Sequence, residues 1–213
     1  QNYSSFVSQK ITGADGFLTG ICGMLRPGDL AIDCGANARE VSARLLASGA
    51  DVIAFDPEPW AHDQLTRRFA GESRFTLQPA AVGTAEGTVR LMRAGNFDGN
   101  AAQASVKSTV VAGGRQIDES AENAIEVAQI DFIAFLRDVI AQRGEVAFLK
   151  IDIEGAELDL FPAIDAAGLF GAIRCTVVET HERKFRDRAA DFQAMRALIG
   201  EKYAPSHVSL DWI

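Results

Sequence analysis

Cysteine is too scarce and too badly spaced in this chain for structural work. The three residues, Cys22, Cys34 and Cys175, form no C-x-x-C pair and leave one over in any internal pairing. That excludes a disulfide-stapled scaffold and a cysteine zinc knuckle, and it points to a reducing, cytoplasmic compartment. Cys34 and Cys175 sit inside apolar runs and read as small buried hydrophobes. Basic excess is also missing: 21 Lys and Arg against 29 Asp and Glu leave a net charge of -8. Such a balance opposes sequence-independent attraction to nucleic acid or anionic lipid, so neither is expected as a partner. No stretch approaches 18 consecutive apolar residues, and no basic segment followed by an apolar one opens the chain, so no membrane span is expected.

What is present is ordinary globular composition, 47% hydrophobic and 23% charged over 213 residues. A core of this size buries roughly 70% of the surface the unfolded chain exposes, so one domain without a metal or disulfide staple is the expectation. Ala31 to Cys34, Asp51 to Asp56 and Val146 to Ile151 are short apolar runs ending at or beside a carboxylate, as buried parallel strands do. Phe75 to Val82 reads as a third strand, with further strands at Val89 to Met92, Ile125 to Gln129 and Cys175 to Glu179. Between them, helical spacing recurs at Val41, Leu45 and Leu46, at Ala61, Leu65 and Phe69, over Ala156 to Ile164, and at Phe192, Met195, Leu198 and Ile199. The strongest helix follows Asp131, a natural N-cap, with Phe132, Phe135, Leu136, Val139 and Ile140 on one face. Alternating strands and helices predict an α/β fold, a Rossmann-like, doubly wound, mostly parallel sheet of about seven strands with helices on both faces. Residues 1–28 are expected to form an N-terminal helical segment. Residues 94–124, rich in Gly, Ala, Ser, Asn and Gln, read as an inserted lid-like loop with Ser105, Val106 and Lys107 over the bound acceptor.

In such sheets ligands bind beyond the carboxyl ends of the strands. The polar residues expected there are Asp33, Asp56, Asp152 and Glu179 with His181. The loop Asp33-Cys34-Gly35-Ala36-Asn37 has one glycine instead of the three of a dinucleotide fingerprint, so NAD is disfavoured. Asp33 would repel a phosphate and attract an ammonium group. Asp56 follows roughly 20 residues on, where an acid accepts hydrogen bonds from both hydroxyls of a ribose. Helix capping or arginine pairing explains either acid alone; together they favour a nucleoside carrying an amino acid and no phosphate, S-adenosylmethionine. Gln78, Ala80 and Ala81 border the expected adenine. The segment Lys150 to Glu157 crowds a lysine and several acids at one strand tip, where like charges and the ammonium tune each carboxylate. Its bland reading is a buried pair of Lys150 with Asp152 or Glu154 and Glu157 capping the next helix. His62 and His207 have no such setting and read as surface residues.

These stretches, DCGAN at 33–37, AFDPEP at 54–59, AVGTAEG at 81–87, AQID at 128–131, LKIDIEGAE at 149–157 and VVETH at 177–181, resemble the FkbM-type methyltransferases. The resemblance implies a class I methyltransferase fold, S-adenosylmethionine as cofactor, and O-methylation of a hydroxyl on a sugar, glycoside or polyketide-like small molecule. It places Asp33, Gly35, Ala36 and Asn37 at the methionine end of the donor, Asp56 with Pro57 at the ribose, and Ala81 and Asp152 in the same pocket. Lys150, Asp152, Glu154 and Glu157 would build the site at the tip of their strand. The family usually has Glu where Asp56 stands and commonly Gly where Arg39 stands; Arg39 is expected either to pair in solvent or to reach into the donor pocket.

Methyl transfer from an activated donor requires alignment and removal of a hydroxyl proton. Asp152 is the first expected base, His181 the second, with Lys150 and Glu154 supporting them; a solvated loop histidine is the competing reading of His181. A rival arrangement puts Mg²⁺ between Asp152, Glu179 and His181. A non-catalytic nucleoside-binding or S-adenosylmethionine-binding module of a larger assembly is the alternative to an enzyme.

Overall fold

A computed structural model describes residues 3–95 and 97–212. The strands are β1 (Leu30–Cys34), β2 (Asp51–Phe55), β3 (Phe75–Gln78), β4 (Ala81–Gly83), β5 (Gly87–Met92), β6 (Ala124–Asp131), β7 (Phe148–Ile151), β8 (Thr176–Val178) and β9 (Val208–Ser209). The helices are α1 (Tyr3–Met24), α2 (Val41–Ala47), α3 (Pro59–Arg68), the single turn α4 (Ala101–Ala104), α5 (Phe132–Arg143), α6 (Glu157–Ala166) and α7 (Ala189–Lys202). Six strands, in the order β3-β2-β1-β7-β8-β9, form the main sheet, and every pairing in it is parallel. A parallel sheet covered on both faces needs strands apolar on both sides, and β1, β7 and β8 are buried at every position.

The single strand expected over Phe75 to Val82 is two. Pro79 has no N–H to continue a ladder, and Ala80 N folds back onto Gln78 O at 2.9 Å. β4 therefore leaves the main sheet and pairs with β6 in a small second sheet, β4-β6-β5. The seven-strand expectation is corrected to six strands and three among the described residues. α5 begins as its sequence predicts: Asp131 Oδ1 accepts from Ile133 N and Ala134 N, each at 3.0 Å, and Phe132, Ile133, Leu136 and Val139 are buried.

α1 lies on the sheet through Leu18 and Ile21, with Leu25 just after it, packed with Ala31, Phe148, Cys175 and Val177. Phe17 meets Trp212 edge to face, with ring centroids 6.2 Å apart. The segment 94–124 is not a structureless loop. It contains α4 and short 3₁₀ turns, buries Phe97 and Ala104 against Ala94 and Trp60, and makes isolated bridges from Met92 to Thr109 and from Ala94 to Ile117. His207 is not a surface residue: its Nε2 lies 3.0 Å from Phe170 O and 2.8 Å from Ile173 O.

Candidate functional site

Chain order reverses direction across the sheet between β1 and β7, and a cleft of about 610 Å³ opens outside the carboxyl ends of β1, β2 and β7. Its first wall is the loop after β1. Gly35 has φ +73°, and a Cβ on it would lie 1.7 Å from Asp152 O, so only glycine lets the tips of β1 and β7 approach this closely. Gly35 N and Ala36 N donate to Phe55 O at 2.9 and 3.1 Å. Lys150 Nζ donates to Gly35 O at 2.8 Å. Asn37, at φ 46°, donates its backbone N–H to Asp56 Oδ2 at 2.7 Å and its Nδ2 to Ser105 Oγ at 3.2 Å.

Asp56 ends β2 with both carboxylate oxygens fixed, Oδ2 by Asn37 N and Oδ1 by Glu58 N at 2.8 Å. Burial pushes its carboxyl up to about 6 against the opposing pull of those two backbone N–H groups. Beside it, Glu58 is buried and forked by Arg93, Nε to Oε2 at 2.9 Å and Nη2 to Oε1 at 2.7 Å. The Arg93 guanidinium lies over the Phe97 ring at 4.2 Å. Glu58 also lines the cleft, and the sequence reading missed it because its partner stands far along the chain with no spacing to announce it.

The tip of β7 carries the largest charge cluster. Lys150 is opposite Asp33 in the β1/β7 register, which brings Nζ within 3.2 Å of Asp33 Oδ1 and 3.4 Å of Asp152 Oδ2. Burial works to lower the Lys150 ammonium, but the Asp33 and Asp152 carboxylates outweigh it and raise it. Asp33 Oδ2 accepts from Ser42 Oγ at 2.7 Å. Arg39 Nη1 donates to Asp152 Oδ2 at 3.3 Å. His181 Nδ1 is 3.0 Å from Glu157 Oε1, while its Nε2 is 3.4 Å from Glu154 Oε2, 3.7 Å from Asp152 Oδ1 and 3.9 Å from Glu179 Oε1. Burial opposes charge on this ring, yet Glu154 and Glu157 win and hold its pKa well above the usual histidine value. Glu179 is pushed up to about 7, first by burial and then by the Asp152 charge.

Gly35, Asn37, Asp56, Pro57, Ala81, Asp152 and Glu154 line the cleft, with Arg39 among them. Four assignments are corrected. Asp33 faces α2 and Lys150 instead of the cleft, because the cross-strand ammonium and the Ser42 hydroxyl claim its carboxylate. Lys150 is sealed beneath the loop after β1, bonded to Gly35 O, and does not line the cleft. Ala36 packs into a small cluster with Ala54 and Leu65. His181 is buried with its Nδ1 3.0 Å from Glu157 Oε1, and is not a solvated loop histidine. In the inserted segment, Ser105 and Val106 line the cleft whereas exposed Lys107 turns to Gln116. Ser108 and Thr109 line it too, and the buried Ser108 Oγ finds no hydrogen-bond partner among the described residues.

The group whose ligand atoms come close enough for a cation is Asp152, Glu154 and His181, within 4.8 Å of one another. Glu154 thus takes the place expected for Glu179. Both carboxylates are already engaged by positive charge, Asp152 by Arg39 and Lys150 and Glu154 by Lys184 Nζ at 2.8 Å. A divalent ion does not fit this set without displacing those cations.

A parallel sheet with its cleft at the reversal of strand order defines a Rossmann-like α/β domain. Residues 33–204 match the Methyltransferase FkbM domain, and the chain belongs to that family. Among solved structures it is similar to methyltransferase FkbM from Methylobacillus flagellatus KT, with 18% identity and a TM-score of 0.43. The alignment covers 84% of this chain and 40% of that one, so the chain spans less than half of that protein's length. No curated protein matches. Among the described residues no helix is long and apolar enough to cross a membrane.

Proposed function

We propose that this domain uses S-adenosylmethionine to methylate a hydroxyl group of a small molecule, of the sugar, glycoside or polyketide-like kind. The observation that carries the reading is Asp56: a carboxylate at the tip of β2, both oxygens fixed by backbone N–H groups, in the wall of a cleft at the switch point of the sheet. The residues present fit the donor. Asp56, Glu58, Asp152 and Glu154 outnumber Arg39 among the charged residues of the lining, a balance suited to a ligand whose sulfonium and ammonium outweigh its carboxylate and unsuited to a phosphate-bearing one. Phe55, Ala80, Ala81, Val82 and Leu91 supply an apolar wall of the kind an adenine ring needs. The unpartnered Ser108 hydroxyl awaits a polar group from the ligand.

When bound, the donor supplies a methyl group on a positively charged sulfur. The chain's own part is to orient the two reactants and take up a proton. Asn37 and Asp56 fix the nucleoside side. His181, held between Glu154 and Glu157, keeps the tip of β7 in register. Asp152, the carboxylate at the tip of β7 that lines the cleft, takes up the proton of the acceptor hydroxyl. The test is titration calorimetry with S-adenosylhomocysteine and NAD, followed by a homocysteine-release screen over hydroxylated sugars and glycosides. Binding of the first nucleoside and not the second is expected, with turnover on at least one hydroxylated acceptor. Binding of NAD in its place, or undiminished S-adenosylhomocysteine binding in Asp56→Ala, overturns the reading.

A further inference from the structure

The segment between β5 and β6 brings three hydroxyls to the wall of the cleft, those of Ser105, Ser108 and Thr109. Two of them are spent within the chain. Ser105 Oγ accepts from Asn37 Nδ2 at 3.2 Å, and Thr109 Oγ1 donates to Glu154 O at 2.7 Å and accepts from Val111 N at 3.0 Å. Ser108 differs from both: it is 9% exposed, it lines the cleft, and its Oγ has no hydrogen-bond partner among the described residues. Burying a hydroxyl unpaired is unfavourable, and in the wall of a ligand cleft an atom of the ligand makes that deficit good.

The two ends of this wall say which ligand. Ser105 is tied to Asn37, whose backbone N–H holds Asp56 on the nucleoside side. Thr109 is tied to the backbone of Glu154, in the turn just beyond Asp152 at the tip of β7. Ser108 is the chain neighbour of Thr109 and so belongs to the β7 end, where the acceptor hydroxyl meets Asp152. We infer that Ser108 is a specificity-determining residue for the acceptor: its hydroxyl pairs with a second oxygen of the molecule that presents its first to Asp152, and the acceptor is a polyol rather than a lone alcohol. The inference rests on the methyl-transfer reading above. A serine hydroxyl both donates and accepts, which matches a sugar hydroxyl in either role. The neighbouring lining, Val106, Val110 and Ile153, is apolar, so nothing there replaces the bond when the second oxygen is missing, and a site that loses such a bond discriminates against the ligand that lacks it.

Homocysteine release is measured with the methyl glycosides of glucose, mannose and galactose and with their monodeoxy derivatives, on the wild-type chain and on Ser108→Ala. In the wild type, removal of one hydroxyl other than the methylated one is expected to lower kcat/KM on the order of 10- to 100-fold. Ser108→Ala is expected to lower the parent sugar by a similar factor and to shrink that deoxy penalty to within about twofold, a coupling that a merely structural residue does not show. Its calorimetric affinity for S-adenosylhomocysteine stays within about twofold of wild type, and its melting temperature without ligand is no lower, because the hydroxyl removed was unpaired. A wild type indifferent to every deoxy position, or a penalty that persists in the variant, overturns the inference while the donor reading stands. Weakened S-adenosylhomocysteine binding in Ser108→Ala moves the residue to the donor side, and a melting temperature several degrees lower means that the hydroxyl is already paired inside the chain; either overturns it too. A wild type that binds S-adenosylhomocysteine and methylates none of these sugars fails the sugar acceptor and the inference with it, whereas one that does not bind S-adenosylhomocysteine fails the donor reading itself.

Discussion

Asp56 makes a test that needs no ligand. Its carboxyl lies at about 6 in the folded chain against an ordinary value of 3.8, because burial penalises the charged form more than two backbone N–H groups favour it. The folded chain therefore keeps the proton at pH values where the unfolded chain has lost it. That stabilisation is whole below about pH 4 and is lost as pH rises through about 6. The difference amounts to about 3 kcal/mol in total, and about 2 kcal/mol of it falls between pH 4.5 and 7.5. Asp56→Asn cannot titrate, so the stability of the wild type minus that of the variant isolates this residue from every other group that titrates in the window. Urea unfolding of both proteins at half-unit steps reads it directly. The wild type should lose about 2 kcal/mol relative to the variant from the acid to the alkaline end, while the hydrogen bonds of Asn37 N and Glu58 N contribute only a constant offset. A flat difference, or one that grows with pH, would refute the argument that burial governs this carboxylate.

Two further substitutions test how the strand tips are held. Gly35→Ala puts a methyl group 1.7 Å from Asp152 O at a left-handed φ of +73°; we expect it to destabilise by more than about 2 kcal/mol and to abolish nucleoside binding, and a melting temperature within a degree of wild type would count against the close approach. Lys150→Ala leaves two buried carboxylates without their shared ammonium, for an expected loss of about 3–5 kcal/mol, whereas the double variant Lys150→Met with Asp33→Leu should recover much of it; no recovery would mean that the hydrogen bond to Gly35 O, and not the ion pair, is what matters.

The arrangement of strands and acids was readable in the chain because buried parallel strands are short apolar runs and the residues that end them must turn polar. DVIAFD and LKID say this without any partner. Position along a strand was legible; direction was not. Asp33 and Lys150 oppose each other only because β1 and β7 pair in one register, and nothing within five residues of either announces it. The same holds for Glu58 with Arg93. Pro79 was a visible strand breaker, passed over because the apolar run continues on its far side into β4. The two carboxylates that hold His181, Glu154 within a left-handed turn and Glu157 just after it, come to the ring from a segment that no local spacing connects to it.

That turn also fastens the inserted segment down. Thr109 Oγ1 donates to Glu154 O at 2.7 Å, and Lys184 Nζ bridges Glu154 Oε2 at 2.8 Å and Lys107 O at 2.7 Å. Swinging residues 105–110 outward also breaks the Asn37 to Ser105 bond and both backbone bonds between Met92 and Thr109, and four neutral bonds with one charge-assisted bond cost about 6 kcal/mol, which leaves that wall open in fewer than about one molecule in ten thousand. Small molecules then do not pass through this wall, and the standing entrance to the cleft is the mouth where Arg39 meets solvent.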